Sequence, residues 1–154
     1  LVIDLPPGTG DTQLTLAQKV PVSGAAIVTT PQDIALLDAK KALKMFEKVE
    51  IPVLGIIENM STHICSQCGH EEAIFGTGGG ERMATEFGVD VLGGIPLDIR
   101  IREDADGGRP TVVADPDGST AGNYRRIARQ VAGRLAARKR NYSEVFPSIV
   151  VQNT

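Results

Sequence analysis

Four short apolar runs that never alternate with polar residues constrain the fold of this chain more than anything else in it. They are Leu1–Leu5, Ala25–Thr29, Val53–Ile57 and Val91–Ile95. A strand covered on one face alternates apolar and polar side chains, whereas a strand covered on both reads as a continuous apolar run. Between the runs lie Thr12–Val20, Pro31–Val49 and Gly80–Phe87, each long enough for a helix. Pro31 suits a first helical position, and Ile34, Leu37, Ala42 and Phe46 mark a broad apolar stripe behind it. Strand–helix–strand repetition implies right-handed crossovers and a parallel sheet. The expected fold is α/β, an open, doubly wound parallel sheet with helices on both faces.

A chain of 154 residues is about one domain, and residues 1–140 are assigned to it. The segment 59–80, rich in Gly, His and polar residues, reads as a metal-binding loop. Residues 141–154 read as an extended tail, whose apolar patch Phe146–Val151 fits no helical pattern. Hydrophobic content of 42% and charge of 23% exclude a disordered or fibrous protein. Up to residue 120 acidic side chains outnumber basic ones, and the basic residues cluster in Arg125–Arg140. An acidic body argues against a nucleic-acid partner. The basic helix Tyr124–Arg140 has an Ala-rich apolar face without Trp or Phe, so it reads as a closing helix on the sheet rather than a stable membrane anchor. Two cysteines fit a reducing, cytoplasmic setting. The first residue is Leu1, inside an expected strand, so the chain reads as a piece of something longer.

In open α/β sheets ligands bind beyond the carboxyl ends of the strands, which directs attention to four motifs. Asp4-Leu5-Pro6-Pro7-Gly8-Thr9-Gly10-Asp11 places a carboxylate after an apolar run and before a helix start. The carboxylate suits Mg²⁺, and exposed backbone N–H groups in a Gly/Pro turn suit a phosphate. The same pattern also serves as a tight connection capped by Asp11. Glu58-Asn59-Met60 puts at a strand end an amide with both donor and acceptor, as reading a purine edge requires, though such a residue is also a common turn or cap. Ile95-Pro96-Leu97-Asp98 is either a rigid turn or a wall of a base pocket.

Cys65-Ser66-Gln67-Cys68 is the fourth motif. Two thiolates three residues apart can chelate one soft ion but supply only two ligands. His63 and His70 could complete a mononuclear zinc site. Alternatively a second chain brings two more cysteines, giving the four thiolates an iron–sulfur cluster prefers. Eight residues are a tight span for a four-ligand site within one chain. A thioredoxin-like redox pair is disfavoured, because that motif opens a helix directly after a strand.

The segments LVIDLPPGTGD, TTPQDIALLDAKKALKMFEKVEIPVLGIIENMS, the CxxC stretch running into IFGTGGGERMA, and IPLDIRIREDADGGRPTVVADPDG occur here in order. Together they resemble the carboxyl-terminal half of the Mrp/ApbC/Nbp35 iron–sulfur carrier ATPases, of the deviant Walker P-loop class. The resemblance implies a P-loop NTPase-like fold, ATP and Mg²⁺ as cofactors, ATP hydrolysis, a homodimer, and a [4Fe–4S] cluster held between subunits and passed to apo iron–sulfur proteins. By position, Asp4 resembles the Mg²⁺-binding catalytic aspartate and Gly8 the γ-phosphate-sensing glycine. Asn59 resembles the base-reading residue, Pro96–Asp98 the second wall of that pocket, and Cys65 and Cys68 the cluster ligands. Two features depart from the family pattern. No Gly-Lys-Ser/Thr occurs in the 154 residues, and Ser66 stands where the family commonly has Pro. The rival readings are a partitioning or division-site switch ATPase of the same fold, which has no need of the cysteines, and a zinc-stabilised interaction module.

Overall fold

The computed structural model describes residues 1–6, 10–65 and 67–138. Helix α1 (Asp11–Lys19) leads to strand β1 (Ala25–Thr29), helix α2 (Asp33–Lys48) and the long strand β2 (Val53–Ile64). A two-residue strand β3 (Glu71–Glu72), helix α3 (Gly79–Phe87) and strand β4 (Val91–Leu97) follow. Helices α4 (Ile99–Asp106), α5 (Thr111–Ala114) and α6 (Ser119–Ala137) complete the order.

Strand β2 is the axis of the sheet. It pairs in parallel with β1 on one side and with β4 on the other, and β3 joins its far end antiparallel. Successive strand residues point to opposite faces, and β2 shows what that does here. Ile56, fully buried, packs with Leu36, Leu43 and Phe46 of α2 and Met83 of α3. Its neighbour Ile57 packs instead with Leu92 and Ile95 of β4 and Ile127 of α6. Helices therefore cover both faces, as the uninterrupted apolar runs require. Burying side chains of this size stabilises the fold by about 1.5–3 kcal/mol each, and that is why the central strand carries Leu54, Ile56 and Ile57 in succession.

Five local expectations change. Leu1–Leu5 forms no strand; Leu1 and Val2 lie exposed, and among the described residues no strand pairs with them. An apolar run becomes a strand only when a neighbour takes up its backbone N–H and C=O groups. Leu5 still packs on the first core cluster, and Pro6 is held by the Gln13 side-chain amide, which donates to its carbonyl at 2.9 Å. Secondly, β1 is covered on one face: Ile27 and Thr29 are buried while Val28 is 61% exposed. Thirdly, the stretch 59–80 is not a loop throughout. Its first part continues β2 to Ile64, and Glu71–Glu72 pairs back onto His63 and Ile64. Asp98, read as a turn residue, caps α4, a helix the sequence pattern missed. The basic helix begins earlier than expected, at Ser119, and packs Ile127 into the sheet. The tail patch Phe146–Val151 lies outside the described residues.

Candidate metal and nucleotide site

The site is built on the carboxyl-terminal half of β2, which carries Asn59 at one point and leads into Cys65 six residues on. The two ends are separated by a bulge, because Asn59 pairs with Ile95 and His63 with Leu97, so the path between them is shorter than six extended residues.

At the Asn59 end, residues Glu58 and Asn59 pair with Gly94 and Ile95 of β4, so Asn59 lies opposite Ile95, the residue before Pro96. The Asn59 side-chain carbonyl accepts from the backbone N–H of Met60 at 3.0 Å. Met60 itself holds a φ of 56°, a left-handed conformation rare for a residue with a side chain. That hydrogen bond fixes the Asn59 rotamer and leaves its amide nitrogen as the group able to donate to a ligand. Asp98 accepts from the backbone N–H of Arg100 at 2.9 Å and forms a bidentate pair with the Arg100 guanidinium. The Arg100 side chain holds the Asp98 carboxyl below its ordinary range, and His63 nearby adds to that. With its oxygens engaged, Asp98 offers a rigid wall rather than a free acceptor.

Glu58 adds a function that sequence reading did not assign. Its carboxylate accepts from the backbone N–H of Gly80 at 2.6 Å, at the start of α3. A carboxylate there satisfies one of the orphan N–H groups of the helix and complements its dipole. The glycines of Gly78-Gly79-Gly80 follow from packing. A Cβ on Gly79 would stand 3.0 Å from the Pro31 carbonyl oxygen, and one on Gly80 would stand 3.0 Å from the Glu58 carboxylate. The signal was visible in the sequence as an acid at a strand end followed by a glycine cluster before a helix.

At the far end, Cys65 and Cys68 sit in the turn of the β2–β3 hairpin. The Cys65 N–H donates to His70 carbonyl oxygen at 2.9 Å, and the Gly69 N–H donates to the Cys65 carbonyl at 2.9 Å. Backbone N–H groups of Cys68 and Gln67, together with the Cys68 thiol, turn toward Cys65 and lower its thiol below the ordinary range. Both features favour the thiolate, the form that ligates soft metals. Neither cysteine is in a disulfide; Cys65 is half-buried and Cys68 exposed. Among the described residues no three His, Cys, Asp or Glu side chains converge as a metal site. His63 in particular turns its Nδ1 to the Leu97 carbonyl oxygen at 3.1 Å.

The remaining sequence candidates stand apart. Asp4 lies in the exposed segment before Pro6, and no hydrogen bond or ion pair among the described residues ties it to Asn59 or Asp98. Gly8 and Ser66 lie outside the described residues.

The family described as ParA, NUBPL iron-transfer P-loop NTPase, matches residues 1–132. An iron–sulfur cluster carrier protein of Pseudomonas fragi is 64% identical over 128 residues, covering 83% of this chain and 45% of its own length. The iron–sulfur cluster carrier protein of Escherichia coli K12 is 62% identical over 135 residues, covering 88% and 37% respectively. The iron–sulfur cluster transfer protein NUBPL of Mus musculus is 50% identical over 135 residues, covering 88% and 42%. The chain thus spans less than half the length of these relatives. Among solved structures, a nucleotide-binding protein in complex with ADP from Archaeoglobus fulgidus superposes with a TM-score of 0.62 at 36% identity, over 76% of this chain and 47% of that one. The septum site-determining protein MinD with Mg-ADP from Pyrococcus horikoshii gives 0.56 at 28% identity, over 75% and 44%.

Proposed function

The chain belongs to the ParA family of NUBPL-type iron-transfer P-loop NTPases, and on that premise we propose that it is the cysteine-bearing portion of an iron–sulfur cluster carrier. Its cargo is a [4Fe–4S] cluster. Cys65 and Cys68 provide two thiolate ligands, and the same pair from a second copy provides the other two. The observation that carries this reading is the position of Cys65 and Cys68, three residues apart, in the hairpin turn where β2 passes to β3. An exposed turn with only two ligands suits a site that is completed by a partner and that releases what it holds.

ATP and Mg²⁺ are the groups that Asp4, Gly8, Asn59, Pro96 and Asp98 would hold. When bound, they supply the hydrolysis that switches a P-loop protein between states. The contribution of this chain is then specific. Asn59 would donate an amide hydrogen to the base, Pro96 and Asp98, the cap of α4, would wall the pocket, and Asp4 would supply a carboxylate for Mg²⁺. Delivery to apo iron–sulfur proteins follows from the exposure of Cys68, and a cytoplasmic setting suits reduced thiols. No described helix is long and apolar enough to cross a membrane.

Anaerobic reconstitution with ferrous iron and sulfide tests the reading. The account expects a brown protein with about four irons and four sulfides per two chains, and transfer of that iron to an apo [4Fe–4S] acceptor. Zinc at one ion per chain with no transfer supports the interaction-module reading instead. Cys65→Ser and Cys68→Ser variants that leave every property intact support the division-site switch.

A further inference from the structure

Between Asn59 and His63 the ladder joining β2 to β4 is irregular. Asn59 pairs with Ile95 and His63 pairs with Leu97, so β2 spends four residues where β4 spends two. The extra length is accommodated by the left-handed turn at Met60. A bulge of this kind breaks the run of backbone hydrogen bonds and leaves the strands free to part.

Two side chains close the gap. The Ser61 hydroxyl donates to the Ile95 carbonyl at 3.2 Å. His63 Nδ1 faces the Leu97 carbonyl at 3.1 Å, a hydrogen bond made by the tautomer that carries its proton on Nδ1, since a carbonyl oxygen only accepts. The opposite strand is shaped for this. A Cβ on Gly94 would stand 2.7 Å from Ser61 Oγ, so only glycine leaves room for the hydroxyl to lie across β4. The two carbonyls bound in this way flank Pro96, and the strand they steady runs directly into the cysteine hairpin.

We propose that Ser61 and His63 are positioning residues that strap β2 to the end of β4, so that the placement of the Pro96–Asp98 wall sets the placement of Cys65 and Cys68. The proposal rests on the carrier reading for the meaning of the two ends, but the mechanical link stands on the bulge and its two side-chain bonds. A strand interrupted by a bulge transmits little by itself. Rigid cross-bonds on both sides of the interruption turn it into one body with β4. Movement at Pro96 is then movement at Cys65.

Amide hydrogen exchange of the full chain, together with the rate of Cys65 and Cys68 alkylation by iodoacetamide, tests the link without nucleotide or cluster. Loss of both straps in Ser61→Ala/His63→Ala should speed exchange at the Cys65 and Gly69 amides by roughly three- to tenfold per lost hydrogen bond. The Ile56 amide, bound to the Asp90 carbonyl in the core, should keep its rate. Gly94→Ala, which keeps both strap residues but presses its Cβ on Ser61 Oγ, should reproduce the Ser61→Ala effect. Ser61→Thr and His63→Asn, which retain a hydroxyl and a donor near the Nδ1 position, should restore most of the protection. Asp98→Ala, which loosens the end of β4, should alter hairpin exchange and alkylation in the parent and have no further effect in the strap-less background. Equal effects of Asp98→Ala in the two backgrounds, or an unchanged hairpin in Ser61→Ala/His63→Ala, would overturn the proposal. The carrier reading would survive either result, since cluster loading at Cys65 and Cys68 decides it separately.

Discussion

Replacing Gly80 by alanine should destabilise the parent and stabilise a variant that lacks the Glu58 carboxylate. The reasoning starts from the short hydrogen bond between Gly80 N–H and Glu58, at 2.6 Å. A hydrogen bond to a charged group contributes about 1.5–3 kcal/mol, and part of that is the interaction of the carboxylate with the helix dipole. Glu58→Ala should therefore cost about 2 kcal/mol, and Glu58→Gln, which keeps a neutral acceptor, about 1 kcal/mol. For a domain of this size those figures correspond to falls in Tm of about 4–8 and 2–4 °C. In the parent, a Cβ at position 80 would press on the carboxylate from 3.0 Å, and such overpacking costs about 1–3 kcal/mol. With Glu58 truncated the obstruction is gone. The same substitution then gains up to about 1 kcal/mol, because alanine restricts the unfolded chain and favours the helix. Urea titrations followed by far-ultraviolet circular dichroism, on the parent, both single variants and the double variant, measure the cycle. A Gly80→Ala effect of the same sign in both backgrounds, or Glu58→Gln as costly as Glu58→Ala, would refute the assignment of Glu58 as the anchor of α3.

Three other expectations follow. Asp98→Asn keeps the cap of α4 but loses the Arg100 pair, which is half in solvent, so it should cost about 0.5–1 kcal/mol at neutral pH. Since the folded-state pKa of Asp98 is depressed, that difference should be full above the ordinary carboxylate value of about 3.9 and shrink as the pH falls through the lower folded value; a gap that widens in acid would contradict the pairing. Gly93→Ala should cost about 2–6 kcal/mol, because φ at this position is 148° and the new Cβ would lie 2.7 Å from Ile127; Ile127→Ala in the same chain should relieve only the steric part, as read by chemical denaturation. Calorimetry on residues 1–154 should show no micromolar ATP affinity, since no Gly-Lys-Ser/Thr loop is present to neutralise the phosphates.

The apolar runs announced the sheet because their message is burial, and burial is what Ile56, Ile57, Leu92 and Ile95 provide. The same signal misled at Leu1–Leu5, where it reports apolar character but not a pairing partner. The extension of β2 through Ile64 was hidden because Ser61, Thr62 and His63 are polar. Their place in the strand is set by β3 and β4, which lie far off in sequence, and by a bulge that upsets any two-residue period. Helix α4 escaped notice because Ile99–Asp106 is short and mostly charged; only the Asp98 cap marks its start. The cysteine pair was legible from spacing alone, whereas the N–H groups that turn toward Cys65 depend on the hairpin.

The central claim is that one chain supplies half a cluster site. Sedimentation equilibrium of the anaerobically reconstituted protein, with iron quantified across the same boundary before and after chelation, tests it most directly. The account predicts that iron sediments with a two-chain species at about one [4Fe–4S] cluster per dimer, and that stripping the metal weakens the dimer. It also predicts that Cys65→Ser and Cys68→Ser abolish both, while His63→Ala/His70→Ala retains them. A tightly bound metal at one per monomer in the cysteine variants, or its loss in the histidine variant alone, would contradict it.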